Sequence, residues 1–264
     1  MSLHYLANMN TDEVKVLQQK TSLVFLPIGP TEVHGRHLPM MTDSACAQEM
    51  AAQTAIKLQE EGIESLLAPT IPHCLADLAN EEVGNITLRF ATVANLIEDI
   101  CVGLAKWGFT HIMVVCGHGE PRNMQAIAEG LRQASVRNNA LKAAISDWFP
   151  KSVPLLNQVC KEAHPEWDLH AGEAETSQMM YLYPELVDTQ ALTKLEPNWK
   201  GEHLFDCIAA GKETMADCGA PLTYFGDPRI GTPETGKRVF ALYADIIAEE
   251  VRTLLGLSPS SRQG

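Results

Sequence analysis

Two short, unbroken apolar runs, each closed by a glycine, limit what this chain can fold into more than any other feature. They are "SLVFLPIG" (22–29) and "THIMVVCG" (110–117). Runs of this length, bounded by turn residues, read as strands buried on both faces. "ESLLAPTIP" (64–72) and "ALKAAISDWF" (140–149) read as two more strands. Helical patterns separate them. Asp43 is placed to cap a helix from Ser44 to about Leu58. Apolar residues at 93, 96, 97, 100, 101 and 104 share one helix face, and Gly108 stands where a C-terminal glycine belongs. Further helices are expected over 123–136 and near 150–162, 173–184 and 234–256. Strand alternating with helix predicts an α/β fold with a mostly parallel sheet covered on both faces. In such a sheet, sites form outside the carboxyl ends of the strands. Glu32 and His34 follow the first strand, His118 and Glu120 the third, and Asp147 and Trp148 the fourth, so they should emerge at one edge.

The 264 residues suit one large α/β domain, read here as 1–256 followed by a flexible tail over 257–264. With 33 acidic against 20 basic residues, the net charge of −13 would repel a phosphate backbone, so no nucleic-acid partner is expected. No apolar stretch approaches the ~20 residues that span a bilayer. "MSLHYLANMN" lacks the pattern of a secretory signal. The seven cysteines are scattered and never paired as C-x-x-C, which points to reduced, mostly buried thiols in a cytoplasmic protein.

Chemistry concentrates in "GPTEVHGRHLPMMTD" (29–43), where Glu32, His34, His37 and Asp43 are all good donors to a borderline divalent metal. His118 and Glu120 add to them. A single ion needs about three protein ligands, so this many donors suits a pair of ions sharing a carboxylate. Glu32 and His34 are two apart, as are His118 and Glu120, and residues so spaced in an extended segment share a side. Any one of these histidines, taken alone, reads more readily as a solvated or hydrogen-bonded side chain than as a ligand. His170, in "WDLHAGEAETS" (167–177), reads either as a general acid/base or as a loop histidine before a helix. On the second reading Glu173 or Glu175 merely complements the helix dipole. Trp148 and Trp167 are candidate walls for a flat polar substrate. There is no complete dinucleotide fingerprint, Walker loop or G-x-S-x-G elbow.

The elements "EVHGRHLP", "TD", "CGHGEPRN", "HAGEAETSQMMYLYPELV" and "GDPRIGTPETG", in that order from about residue 20 to 250, resemble the creatininase (creatinine amidohydrolase) family. The resemblance implies a three-layer α/β/α sandwich, two divalent metal ions (zinc and/or manganese), C–N bond hydrolysis and a homo-oligomer, commonly a hexamer. It places Glu32 and His118 on one metal and His34 on the other, with Asp43 bridging. Glu120 and Glu173 compete as the remaining ligand to the second metal, and Glu120 is favoured. His170 takes the catalytic histidine position, and Gly119 stands on the substrate side where creatininase itself has an aromatic residue. The expected activity is hydrolysis of a small cyclic amide, creatinine or similar, by a metal-activated hydroxide. Deformylation of a formamidopyrimidine and hydrolysis of a keto-inositol are the alternatives within the family. A non-catalytic metal-binding assembly subunit is the alternative outside it.

Overall fold

The computed structural model describes residues 3–199 and 204–258. Its centre is a five-stranded sheet of β1 (His4–Tyr5), β2 (Leu23–Ile28), β3 (Leu66–Leu67), β4 (His111–Cys116) and β5 (Lys142–Ile145), in the order β1-β3-β2-β4-β5. Every pairing is parallel. The helices are α1 (Thr11–Leu17), α2 (Thr42–Glu60), α3 (Phe90–Lys106), α4 (Pro121–Arg137), α5 (Trp148–Ser152), α6 (Glu173–Leu182), α7 (Thr189–Leu192), α8 (Leu204–Ala209) and α9 (Pro233–Leu254).

Period-two alternation in the two long strands decides how these layers stack. Leu23 and Phe25 of β2, with Met113 and Val115 of β4, pack into one core with Met50 of α2, Met179 of α6 and Phe240 of α9. Val24, Leu26 and Ile28, with Ile112, Val114 and Cys116, pack into another with Val93 and Ile97 of α3 and Ala126 and Ile127 of α4. A sheet apolar on both faces needs a helical layer on each, and the result is the three-layer α/β/α sandwich. Gly108 takes φ +90° just past α3, as a C-terminal glycine should. All seven cysteines are buried and free of disulfides.

The structure corrects several local expectations. Helix α2 starts at Thr42, with Met41 at its N-cap, so Asp43 sits inside the first turn and makes no capping bond. Its carboxylate is turned to His34 and His118 instead. The stretch 64–72 contributes only Leu66–Leu67 as strand, since Pro69 and Pro72 have no N–H for a ladder. The helix expected near 150–162 is the short α5 followed by a 3₁₀ turn, Val153–Gln158, opened by Pro154. The edge strand β1 was not anticipated. Most of the expected flexible tail, from residue 259 on, lies outside the described residues.

Candidate metal centre

Ile28 and Cys116 are register partners at the carboxyl ends of β2 and β4, so the segments leaving these strands emerge side by side. Glycine follows each strand, and close packing requires it. A Cβ on Gly29 would lie 2.6 Å from the carbonyl carbon of Asp43, and one on Gly117 only 2.2 Å from its oxygen. The first turn of α2 therefore rests directly on the strand ends, carrying Asp43 between the two loops.

Two groups of donors converge there. His118 Nδ1 lies 3.0 Å from Glu32 Oε2 and 3.3 Å from Asp43 Oδ2. His34 Nε2 lies 3.1 Å from Asp43 Oδ1 and 3.8 Å from Glu175 Oε2. His34 Nδ1 donates to the Glu32 carbonyl at 3.1 Å, which turns Nε2 towards the carboxylates. Among the described residues, donor atoms close enough to share an ion form three sets: Glu32, Asp43 and His118; His34, Asp43 and Glu175; and Glu32, His34 and His170. Both oxygens of Glu32, Oδ2 of Asp43 and Nε2 of His118 are buried without a hydrogen-bond partner. Buried polar atoms are rarely left so, and oxygen and imidazole donors suit zinc or manganese. The residues present fit divalent metal.

The electrostatics agree. Burial raises the Glu32 carboxyl above its usual range, against the pull of His118. Burial opposes protonation of His34, yet the Asp43 and Glu175 carboxylates push its pKa up to about 10. His118 is driven well above its ordinary value, against burial, chiefly by Glu32. Asp43 is held well below the carboxylate range because the two imidazoles outweigh burial. Glu175 is raised, mainly by burial. In this fold Glu32, His34 and His118 are all shifted toward their protonated forms around the ionised Asp43. His170 behaves in the opposite way: burial and the neighbouring His34 charge lower it to about 4. Its ring stacks on that of His34 at 4.3 Å, and its Nε2 donates to the Val33 carbonyl at 2.9 Å.

The remaining candidates fall as follows. Glu120 is buried beside His118, 3.5 Å from Nε2, and its Oε2 accepts from the Asp77 amide at 2.9 Å. It belongs to none of the three donor sets and faces the far side of the His118 ring. Glu173 points elsewhere, its Oε2 accepting the Lys161 and Glu162 amides at 2.7 and 2.6 Å. Glu175, read in the sequence only as helix-terminal charge, stands against His34 instead. His37 is buried away from the donor sets, its ring 2.9 Å from the Thr176 hydroxyl. A cavity of about 50 Å³ adjoins the centre, bounded by Asp43, His118, His170 and Glu175. Gly119 and Trp148 line it too, the latter fixed by an Nε1 bond to the Cys116 carbonyl at 2.7 Å. Trp167 is not among its walls and packs near Phe225, 6.2 Å between ring centres.

The family model for creatininase, described as creatinine amidohydrolase, matches residues 7–251. The chain belongs to the creatininase family. Among curated members, the "Mycofactocin precursor peptide peptidase" of Mycolicibacterium smegmatis is 25% identical over 93% of this chain and 91% of its own length. The "Creatinine amidohydrolase" of Pseudomonas putida is 29% identical over 66% of this chain and 70% of its own length. A crystal structure of creatinine amidohydrolase (creatininase) superposes with a TM-score of 0.78 at 20% identity, covering 98% of this chain and 100% of that one. Solved creatininases of the same fold include a manganese form and a Zn-Zn form of a mutant. The creatininase fold is thus the fold of this chain. Among the described residues, no helix is long and apolar enough to cross a membrane.

Proposed function

We propose that this creatininase-family member is a metal-dependent hydrolase that cleaves the C–N bond of an amide, using two divalent ions, zinc and/or manganese. Asp43 carries the reading: its two oxygens face different histidines, Oδ1 at 3.1 Å from His34 and Oδ2 at 3.3 Å from His118. Glu32 and His118 would hold one ion and His34 and Glu175 the other, with Asp43 shared. Glu120 faces the His118 ring from behind. When bound, such ions supply Lewis acidity towards a carbonyl and lower the pKa of water. His170 keeps its proton on Nε2 against the Val33 carbonyl, so Nδ1 carries the free lone pair. That atom would take a proton from the attacking water and pass it to the departing nitrogen, a role worth ~10²–10⁴-fold in rate. Trp148 and Leu78 wall the cavity and exclude water from the reacting bond.

The small cavity favours a compact amide, such as a cyclic or formyl amide, over a bulky one. A peptide amide is the second reading, favoured by one feature. An open groove of about 430 Å³ shares Leu78, Glu120 and Ile208 with the metal pocket and could seat a longer chain. The extended match to a peptide peptidase agrees with it. The decisive experiment assays Mn²⁺- and Zn²⁺-loaded protein on creatinine, a formamidopyrimidine, a keto-inositol and short peptides, alongside Asp43→Asn. Asp43→Asn is expected to lose bound metal and turnover together. Full metal content and full turnover in that variant would end the proposal. Metal binding with no turnover of any amide would favour the non-catalytic assembly subunit. The family likeness also carries a homo-oligomer, to be tested by light scattering.

A further inference from the structure

Behind the metal pocket lies an enclosed recess of about 20 Å³. It shares Gly117, Trp148, His170 and Glu175 with the larger cavity, and Gln178 and Tyr243 line it alone. Gln178 follows Glu175 by three residues in α6, so both lie on one helix face. Its side chain is 2% exposed, and Nε2 is buried without a hydrogen-bond partner. A buried amide donor left without an acceptor is costly, and such groups in native proteins call for a specific reason. The space beside it holds about one oxygen atom with its hydrogens. Met50 and Phe149 line it together with Asp168, Glu175 and Tyr243; both Asp168 oxygens accept the Ala174 N–H, and the Trp148 N–H is already committed to Cys116. The recess thus presents the unmatched Gln178 amide donor at the back of the metal pocket.

We propose that Gln178 donates to an oxygen acceptor of the substrate, a second carbonyl oxygen beyond the scissile one, and so makes the inner recess a specificity subsite. The inference rests on the hydrolase reading above. It names a substrate class: cyclic or linear amides whose leaving nitrogen carries a further carbonyl. A resident water is the other possible source of the same oxygen, and the experiment separates the two.

Creatinine and 1-methylhydantoin are matched probes, being N-methylated five-membered cyclic amides that differ where one has an imino nitrogen and the other a carbonyl oxygen. Wild type and Gln178→Leu, each loaded with Mn²⁺ or Zn²⁺, are titrated with both by calorimetry, and metal content and Tm are measured in parallel. Wild type is expected to bind 1-methylhydantoin about tenfold more tightly than creatinine, and Gln178→Leu to erase that preference at unchanged metal content. The Tm of the variant should hold or rise, because the leucine removes an unpaired donor. A preference that survives in Gln178→Leu, or none in wild type, overturns the subsite. So does a fall in Tm, which would show Gln178 serving a resident water. Wild type that takes up metal but binds neither ring refutes the subsite and leaves the hydrolase reading standing. Wild type that takes up no metal refutes that reading itself.

Discussion

At the residue scale, the centre turns on which acid of "HAGEAETS" faces it. Glu173 and Glu175 are two positions apart on α6, so they point to nearly opposite sides and only one can reach His34. The structure gives Glu175 to His34 and Glu173 to the Lys161 and Glu162 amides. Glu175→Gln is therefore expected to lose one of two ions by elemental analysis. Glu173→Ala should keep both ions and lose about 1–3 kcal/mol of stability, seen in denaturant unfolding. Equal metal loss in both variants would contradict the assignment. His34 gives a pH signature. Its pKa is raised from 6.5 to about 10 in the metal-free fold, chiefly by Asp43 and Glu175 once burial is overcome. Its contribution to metal-free stability is fully present below about pH 6.5 and is lost as pH rises through about 10. Metal must displace that proton, so apparent metal affinity should climb by up to about tenfold per pH unit across this window. Calorimetry at pH 7 in two buffers of different ionisation enthalpy should show proton release on binding.

At the element scale, the site depends on how closely α2 approaches the strand ends. Gly117→Ala would drive a methyl into the Asp43 carbonyl, and α2 or β4 must then shift. The expected outcome is loss of both ions and a Tm lowered by several degrees, while Gly119→Ala, whose Cβ meets only Phe149 at 3.8 Å, should leave metal content intact. Comparison of the two purified proteins by metal analysis and thermal melt checks the claim. A strained backbone also marks the centre: Ala171, beside His170, takes φ +51° and donates its N–H to Glu175. Such left-handed positions cost non-glycine residues free energy and cluster at functional sites.

At the scale of the whole molecule, the buried cluster of Glu32, Asp43 and Glu175 is an electrostatic burden that bound cations would relieve. A chelator should lower Tm, and metal at about 100 times its Kd should restore about 2.7 kcal/mol by mass action. Unchanged melting with and without metal would argue against ions in this pocket. The three layers explain why the burden is tolerated. The two cores on opposite faces of the sheet hold the strand ends rigid, so the loops carrying the donors have little freedom to spread apart.

Much of this was legible in one dimension. Strand runs, helix faces and their alternation are set by local periodicity, so the sequence alone determined the α/β class, the parallel sheet and the edge at which Glu32, His34 and His118 meet. The spacing of donors within a strand-end loop is likewise local. Tertiary packing decided the rest. The phase of α6 depends on how it lies against α9 and the sheet, so no reading of the sequence distinguishes Glu175 from Glu173 as the acid beside His34. The start of α2 depends on backbone contact with Gly29 and Gly117, which moved Asp43 from a cap to a place between His34 and His118. Trp167 and Gln178 were likewise placed, one outside the cavity and one behind it, by contacts between segments that the sequence holds far apart.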